Sequence, residues 1–495
     1  MRLLSVLTVV SGLILLAEAD SWARRRPRPR SIITLPAPPS QTKAIDQPAF
    51  DQPSRAGTPA ELGAQGPTGP AAGPPPAQQS SANQAFAQSA SSKPPVTTPT
   101  PAAFDAIKRL QQLGAEMQYD QANEVVGIDL LKGQPTDADA ALIAKSFPNL
   151  QRLKLFGAEI KDAGVSHLPA LKNLRELVLE NTDITNASVE QLAKIQTLQT
   201  LNLRRSSNLT DEALAHLKKL PALQSLAILY NNFSDDGIAH LKDMKTLRAL
   251  DLRGCVQVGD AGLEQLQGLS GLRVLKLRSP YITDSGLEVL KKLPKLKSLT
   301  IEDTSQITDA GLRVIGALAE LEELELFRCA MISDDGLAHL KTLRNLRRLK
   351  LRDNPISCSG LAHLKGLSKL EHLDLSETQA DDKVLEYLKA FPRLQYLDLW
   401  HTRITDAGLD HLAGLKELET LSLKGTAITD AALERLKGLD KLRSLNLEEN
   451  KITDAGLTHL TGLKNLKSLA LKTTQVSDAA VQKFRQAVPG CKVIR

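Results

Sequence analysis

The chain is poor in the residues that most often hold metals or cross-link a fold. Four cysteines are spread over 495 residues, aromatic residues make up 3%, and tryptophan occurs only at Trp22 and Trp400. No two cysteines have the spacing of a zinc site, and no disulfide framework is evident. We therefore expect all four thiols to be structural. They are Cys255, Cys329, Cys358 and Cys491.

Motifs of common enzymes are also missing. The sequence has no nucleophile elbow, no phosphate-binding loop and no H-E-x-x-H zinc motif. Most histidines occupy one recurring position, just before an apolar helix residue, which predicts solvated structural side chains rather than a row of metal ligands. They are His167, His216, His240, His339, His363, His411 and His459. We predict a protein that is not an enzyme and uses no cofactor and no metal.

The positive net charge is unevenly distributed. The formal charge is +6, but residues 24–100 hold eight basic residues against three acidic ones. Residues 1–23 contribute −1, so the balance for residues 101–495 is only +2. Composition therefore gives no case for nucleic-acid binding by the larger part of the chain.

A repeat of 24 or 25 residues runs from about Val125 to the C-terminus. Its consensus is L-x-x-L-x-L-x-x-T-x-I-T-D-A-G-L-x-x-L-x-x-L, and the copy that begins at Leu394 follows it closely. The alternating leucines predict a short strand, and the leucines three apart predict one face of a helix. Thr405 and Asp406 stand where that helix begins, since a hydroxyl caps a free N–H and a carboxylate favours the positive helix end.

Stacking is needed because one strand and one short helix cannot bury their leucines alone. We predict fifteen units and a closing strand that form an α/β solenoid, a curved horseshoe with a parallel β-sheet on the concave face and short α-helices on the convex face. The first unit begins near Val125, and the others begin at Leu150, Leu174, Leu198, Leu223, Leu247, Leu272, Leu296, Leu321, Leu346, Leu370, Leu394, Leu418, Leu442 and Leu466.

The pattern resembles the leucine-rich repeat family, and its T-D-x-G-L helices resemble the cysteine-containing, ribonuclease-inhibitor-like subclass. The position three residues after the last strand leucine holds Cys, Asn or Thr in most units, as at Cys329, Asn354 and Thr402; Ala158, Ser206 and Pro280 depart from it. The chain is also similar to exported bacterial arrays of T-D-A-G-L repeats. The resemblance implies a scaffold for protein–protein interaction and is specific for fold rather than function.

The sequence divides into five segments. Residues 1–23 have the basic start, apolar run and small-residue cleavage site of a signal peptide, with an uncleaved anchor as the alternative. Residues 24–101 hold seventeen prolines and predict a disordered tether that contacts a membrane or cell wall, or serves only as a spacer. Residues 102–131 predict an N-terminal cap and first degenerate repeat strand, residues 132–487 the repeats, and residues 488–495 a C-terminal capping strand.

Residues between the strand leucines should face the concave side. Four neighbouring strands there combine aromatic, basic and acidic side chains, and Trp400 has no core position to fill. The candidate partner-binding residues are Phe327, Arg328, Arg348, Lys350, Arg352, His372, Asp374, Tyr396, Asp398, Trp400 and His401. A second candidate for an acidic partner is the basic set Arg204, Arg205, Arg253, Lys276 and Arg278.

These patterns predict an exported, monomeric binding module in the periplasm, cell envelope or medium. Its partner is expected to be a protein, with a polysaccharide as the lesser alternative. Two other functions stay open at this point. One is substrate recognition in a ubiquitin-ligase-type complex, although residues 102–124 are too short for an F-box, and the other is a structural spacer in the envelope.

Overall fold

The computed structural model describes residues 101–495. The predictions of a signal peptide in residues 1–23 and of a tether in residues 24–101 lie outside the described residues, except for Pro101, which begins the first helix and so lies outside the predicted tether. No helix of the described part is both long and apolar enough to cross a membrane.

One sheet of seventeen strands runs through the described part. β1 pairs with β2 in antiparallel orientation, and from β2 onward each strand pairs in parallel with the next one along the chain. The strands are β1 Glu116–Tyr119, β2 Val125–Leu130, β3 Arg152–Phe156, β4 Glu176–Glu180, β5 Thr200–Asn202, β6 Ser225–Ala227, β7 Ala249–Asp251, β8 Val274–Leu277, β9 Ser298–Glu302, β10 Glu323–Phe327, β11 Arg348–Lys350, β12 His372–Asp374, β13 Tyr396–Asp398, β14 Thr420–Ser422, β15 Ser444–Asn446, β16 Ser468–Ala470 and β17 Lys492–Ile494.

A short helical segment follows each strand from β2 to β16. The α-helices are α1 Pro101–Gln112, α2 Asp137–Ser146, α3 Asp162–Val165, α4 Asn186–Leu192, α5 Asp211–Leu217, α6 Asp235–Ala239, α7 Asp260–Glu264, α8 Asp309–Gly316, α9 Asp334–Leu337, α10 Cys358–Ala362, α11 Asp382–Tyr387, α12 Asp430–Leu433, α13 Asp454–His459 and α14 Asp478–Ala487. The 3-10 segments are Leu168–Ala170, Gln265–Gly268, Gly286–Lys292, Ala338–Thr342, Leu388–Ala390, Asp406–Gly414, Glu434–Leu436 and Leu460–Gly462. Thus several units have a 3-10 helix where the sequence predicted an α-helix, because two turns leave little room for regular i to i+4 bonding.

The leucines lie in register across the sheet. Leu349, Leu373 and Leu397 are direct partners on β11, β12 and β13, and all three are fully buried. The residues on either side of each leucine are partly exposed on the other face. The alternation predicted from the sequence is therefore confirmed. It builds one continuous apolar core in which each unit is covered by its neighbours.

The T-D-A-G segment joins consecutive repeats. Asp382 Oδ1 accepts a hydrogen bond from the backbone N–H of Thr405 at 2.8 Å, and its Oδ2 accepts one from the Thr405 hydroxyl at 2.6 Å. A Cβ on Gly408 would overlap Asp382 Oδ1, so glycine leaves the space that this carboxylate occupies. Aspartate, threonine and glycine thus act together at this junction, and in most units the aspartate is held in the same way by a threonine or serine of the next unit.

In most units a buried side chain closes the turn after the strand. Asn354 accepts from the backbone N–H of Cys329 at 2.8 Å and donates to the carbonyls of Leu326 and Leu351 at 2.7 and 2.8 Å. The residue at the start of this turn has a left-handed backbone in most units, as at Asp353, with φ 54°. These turns fix where the rim residues of the concave face lie.

Candidate functional site

The concave face consists of parallel rows of side chains, one row for each outward-facing strand position. The structure places all eleven predicted binding residues on β10 to β13 or in the turns directly after them. Row by row, they are Arg348, His372 and Tyr396; then Lys350, Asp374 and Asp398; then Phe327, Arg352 and Trp400; and on the rim Arg328 and His401.

An aromatic–cation layer runs along one of these rows. The Arg352 guanidinium carbon lies 5.2 Å from the Phe327 ring centre and 4.7 Å from that of Trp400. Lys424 Nζ lies 5.6 Å from the same Trp400 ring. Ser376, which occupies this row between Arg352 and Trp400, is small and only 1% exposed, so the two larger side chains meet across it. We refer to Phe327, Arg352 and Trp400 as the aromatic–arginine layer.

Carboxylates hold in place both Arg352 of this layer and the adjacent Lys424. Arg352 Nε donates to Glu377 at 2.8 Å, and Lys424 Nζ lies 3.2 Å from both Glu448 and Glu449. The indole N–H of Trp400 is buried and has no hydrogen-bond partner among the described residues. The layer therefore has fixed geometry and one unused donor, and an unpaired donor of this kind is costly to bury.

A second stack lies two rows away from the layer, in the row closest to the strand starts. The His372 and Tyr396 rings are 3.8 Å apart and inclined by only 5°. Burial, reinforced by the charges of Arg348 and Lys350, lowers the pKa of His372 to about 3. Burial raises the pKa of Asp374, and neighbouring Asp398 adds to that effect. His372 is therefore an uncharged aromatic surface at neutral pH rather than an acid–base group.

We expect His372 to show no change of charge between pH 8 and pH 5. In the unfolded chain a histidine titrates near pH 6.5. Below about pH 6.5 the unfolded state therefore binds a proton at His372, whereas the folded state binds it only near pH 3. This residue therefore contributes a decrease in the free energy of unfolding as the pH falls through that window. NMR of the histidine ring protons, with the His372 signal identified by comparison with His372→Gln, measures the pKa. A titration midpoint above about 5.5 would contradict the lowered pKa.

The two aspartates of this region also end their strands. Asp374 Oδ1 accepts from the backbone N–H and hydroxyl of Ser376 at 2.9 and 2.6 Å. Asp398 Oδ1 accepts from the backbone N–H of Trp400 at 2.9 Å, and its other oxygen accepts from the Tyr396 hydroxyl at 3.2 Å. Asp398 thus positions both neighbouring aromatic residues, which makes its role partly structural.

A hollow opens between β9 and β12. Its volume is about 260 Å³, and Phe327, Lys350, Arg352 and Asp374 line it together with Glu302 and Glu325 and part of Leu326. Small-molecule pockets usually exceed about 300 Å³. The two predicted rim residues lie apart from it: Arg328 pairs with Asp353 at 3.0 Å, and His401 contacts Glu449 at 3.1 Å. The hollow has the size of one or two side chains of a partner.

Sequence reasoning missed Tyr230, which organises the second basic set. Its ring centre lies 5.5, 5.2 and 5.7 Å from the guanidinium carbons of Arg204, Arg205 and Arg278. The phenol oxygen accepts a hydrogen bond from Arg278 at 3.0 Å. The one available signal was that Tyr230 is the first turn residue after its strand, beside the predicted arginines.

Acidic residues neutralise most of that basic set. Arg204 pairs with Glu180 at 2.8 Å, and Arg278 pairs with Asp303 at 2.7 Å. Arg253 contacts both Asp251 and Glu302, at 2.9 and 2.8 Å. Most of these ion pairs join different strands of the concave face. The set therefore offers an acidic partner fewer unpaired positive charges than the sequence indicated.

Ser376 is not the only buried residue of the outward-facing rows among the described residues; Leu229 is buried too. Leu229 occupies the row of Arg352 and Trp400, where the sequence predicted exposure, yet only 5% of it is accessible. Its neighbours in that row, Arg204 and Arg253, are longer, and an aliphatic side chain between longer ones on a concave surface loses contact with solvent.

The described residues contain no cluster of three or more histidine, cysteine or acidic side chains arranged to hold a metal ion. Their four cysteines are free thiols, and three of them are buried. Burial raises the pKa of Cys255 to about 12, and its thiol donates to the Ile228 carbonyl at 3.1 Å. Such a thiol is unreactive. It occupies the turn position that asparagine occupies in other units and forms a hydrogen bond to a backbone carbonyl there.

Comparisons with known proteins address the fold. A family model described as a leucine-rich repeat region matches residues 222–488. No curated protein matches the chain. Among solved structures, an internalin from Listeria monocytogenes is 21% identical, with 75% of this chain and 97% of that chain covered and a TM-score of 0.47. A leucine-rich repeat protein from Leptospira interrogans is 22% identical, with 79% and 98% covered and a TM-score of 0.46.

Proposed function

The chain belongs to the leucine-rich repeat family, and we propose that it is a non-catalytic binding module that recognises a protein through the concave face of β10 to β13. Proteins of this family commonly mediate protein–protein interactions. The observation on which the proposal depends is the aromatic–arginine layer. Its two aromatic rings and their guanidinium lie on the face of the sheet opposite the core and are only partly exposed.

The residue types of the layer suit an interface centre. Tryptophan and arginine are the side chains whose truncation most often weakens protein complexes, and they act best when neighbours hold them in place. Arg352 and Trp400 meet that condition, because the guanidinium lies against the indole ring and Glu377 holds it there. The hollow beside Phe327 would take a side chain of the partner.

A protein is favoured over a polysaccharide by the charges around the layer. Lys350 and Arg352 lie in the same hollow as Glu302, Glu325 and Asp374, so both signs are presented within a small area. That mixture complements a protein surface, which also presents both signs. We further propose that the chain acts as an exported monomer at the cell envelope, a view supported by the segments 1–23 and 24–101 in the sequence.

The test begins with the full chain as bait for proximity labelling in its native host. Candidate partners are then purified, and hydrogen exchange is measured with and without each one. We expect slower exchange in residues 323–328, 348–353, 372–377 and 396–401, whereas β14 to β16 serve as an internal control on the same face. Protection confined to the helices would reject the concave site, and protection by sugars but by no protein would identify a polysaccharide-binding module.

A further inference from the structure

The two lateral edges of the solenoid carry opposite charge. Because every parallel strand pair keeps the same register, all helix-to-strand loops lie on one edge and all strand-to-helix turns lie on the other. Helix starts on the second edge carry the recurring aspartates, among them Asp211, Asp235, Asp260 and Asp284. The near-neutral composition of residues 101–495 conceals this separation.

The helix-to-strand loops before β4 to β9 form a strongly basic strip. These six loops, residues 171–175, 193–199, 218–224, 240–248, 269–273 and 293–297, contain eleven lysines and arginines and a single acid, Asp243. Ten of the eleven cations are exposed, and Lys297 is partly so. We call these six loops the basic edge.

The cations of the basic edge lack the acidic partners that other cations of this protein have. Of its eleven cations only Lys297 forms an ion pair among the described residues, with Glu322 at 2.5 Å. The corresponding loops before β10 to β16 contain eleven cations but six acids, and pairs form there. Arg347 contacts Glu371 at 2.8 Å, and Lys441 contacts Glu417 at 2.7 Å.

Neutralisation of helix C-termini does not explain the difference. Basic side chains do stabilise the negative end of a helix, and Arg344 and Lys416 donate to the carbonyls of Gly366 and Gly438. However, helices end on this edge in both halves of the solenoid, and the halves differ in pairing. Among the described residues, four of the eleven cations before β10 to β16 form ion pairs, against one of the eleven in the basic edge. Concentrating like charges within six adjacent loops destabilises a fold by self-repulsion, unless an anionic partner offsets it.

We propose that the basic edge docks on an anionic lipid surface. Eight of its eleven cations are lysines, compact hydrated charges suited to a diffuse field rather than to bidentate contacts with single groups. The six loops contain no phenylalanine, tyrosine or tryptophan, and His240 is their single ring, so they lack the row of aromatic side chains on which successive bases or sugars stack. Lipids diffuse beneath a strip of charges and need no matching spacing, whereas basic residues at a negatively charged bilayer each add to the attraction. Docking on this edge leaves the concave face open.

The experiment uses the full chain and sedimentation with vesicles of phosphatidylcholine containing 30% phosphatidylserine, a composition chosen for the assay as roughly that of an anionic leaflet. One variant combines Lys218→Glu, Lys219→Glu, Lys242→Glu and Lys245→Glu on the basic edge. The matched control combines Lys161→Glu, Lys383→Glu, Arg403→Glu and Lys451→Glu, four exposed cations on the opposite edge. Both variants keep residues 1–100 and change the net charge equally.

We expect the basic-edge variant to bind these vesicles at least about tenfold more weakly than the parent, and the control variant to stay within about threefold of it. Binding by the parent should also decrease with added salt. Equal loss in both variants, no loss in either, or equal binding to vesicles of phosphatidylcholine alone would overturn the proposal. Tighter binding of double-stranded DNA or heparin than of the anionic vesicles would overturn it in favour of a soluble polyanion. Unchanged circular dichroism confirms that each variant is folded.

Discussion

Replacing Asn354 by alanine is expected to lower the free energy of unfolding by about 3 kcal/mol. The side chain is 3% exposed and makes hydrogen bonds to one backbone N–H and three carbonyls that belong to two consecutive units. Alanine would remove these hydrogen bonds, and each buried group left without a partner costs about 1–3 kcal/mol before relaxation. The cost falls on the junction of β10 and β11, which supports the aromatic–arginine layer.

Chemical denaturation followed by circular dichroism measures this loss, and Asn354→Thr is the matched comparison. Threonine occupies the same turn position at Thr378 and Thr402, where its hydroxyl donates to the carbonyl three residues earlier at 2.6 Å in both cases. Because threonine keeps one of the bonds, the Asn354→Thr variant should lose only about 1 kcal/mol. Equal stability of the alanine and threonine variants would show that the amide contributes nothing beyond filling space.

The repeating leucines predicted the architecture because they encode both period and register. A strand that slipped by one residue would turn Leu397 to the open face and Asp398 into the core, so only one register is consistent with the pattern. The same register places Phe327, Arg352 and Trp400 in one row of the concave face. The sequence therefore predicts which residues are neighbours on that face.

The contacts between units were less accessible to sequence reasoning. The pairing of Asp382 with Thr405 joins residues 23 positions apart, and its geometry depends on how one turn stacks on the next. From one unit alone, the aspartate is fully explained as a residue at a helix start. The requirement for glycine at Gly408 becomes clear only when the neighbouring carboxylate is seen to fill the space of its missing Cβ.

The side-chain conformations of the candidate site could not be predicted from the sequence. The row predicts that Trp400 and Arg352 are two strands apart, but not that the guanidinium reaches the indole across Ser376. Tyr230 was missed because the left-handed turn after its strand, with φ 56°, returns its ring to the face, and a strand alternation rule does not extend into a turn. Net charge likewise gave no sign of the basic edge, since a sum over residues discards their positions.

Trp400→Ala is expected to weaken binding of a concave-face protein partner by about 2–4 kcal/mol, at least about 30-fold in Kd. This prediction rests on the proposed function. The substitution removes the largest side chain of the face and the ring against which Arg352 lies. Lys472→Ala is the control, because Lys472 is an exposed residue in the same row but after β16, outside the proposed contact. Isothermal titration calorimetry with the purified partner measures both.

Combining Trp400→Ala with Arg352→Ala shows whether the two side chains bind the partner as one unit or as two independent contacts. If the guanidinium is oriented by the indole, removing either residue already disorders the other. The binding free energy lost by the double variant should then be smaller than the sum of the two single losses, by at least about 1 kcal/mol. Glu377 also holds Arg352, at 2.8 Å, so part of its contribution survives without the ring. Strictly additive losses would show that the two residues contact the partner separately. Unchanged affinity in both single variants would place the binding site elsewhere on the solenoid.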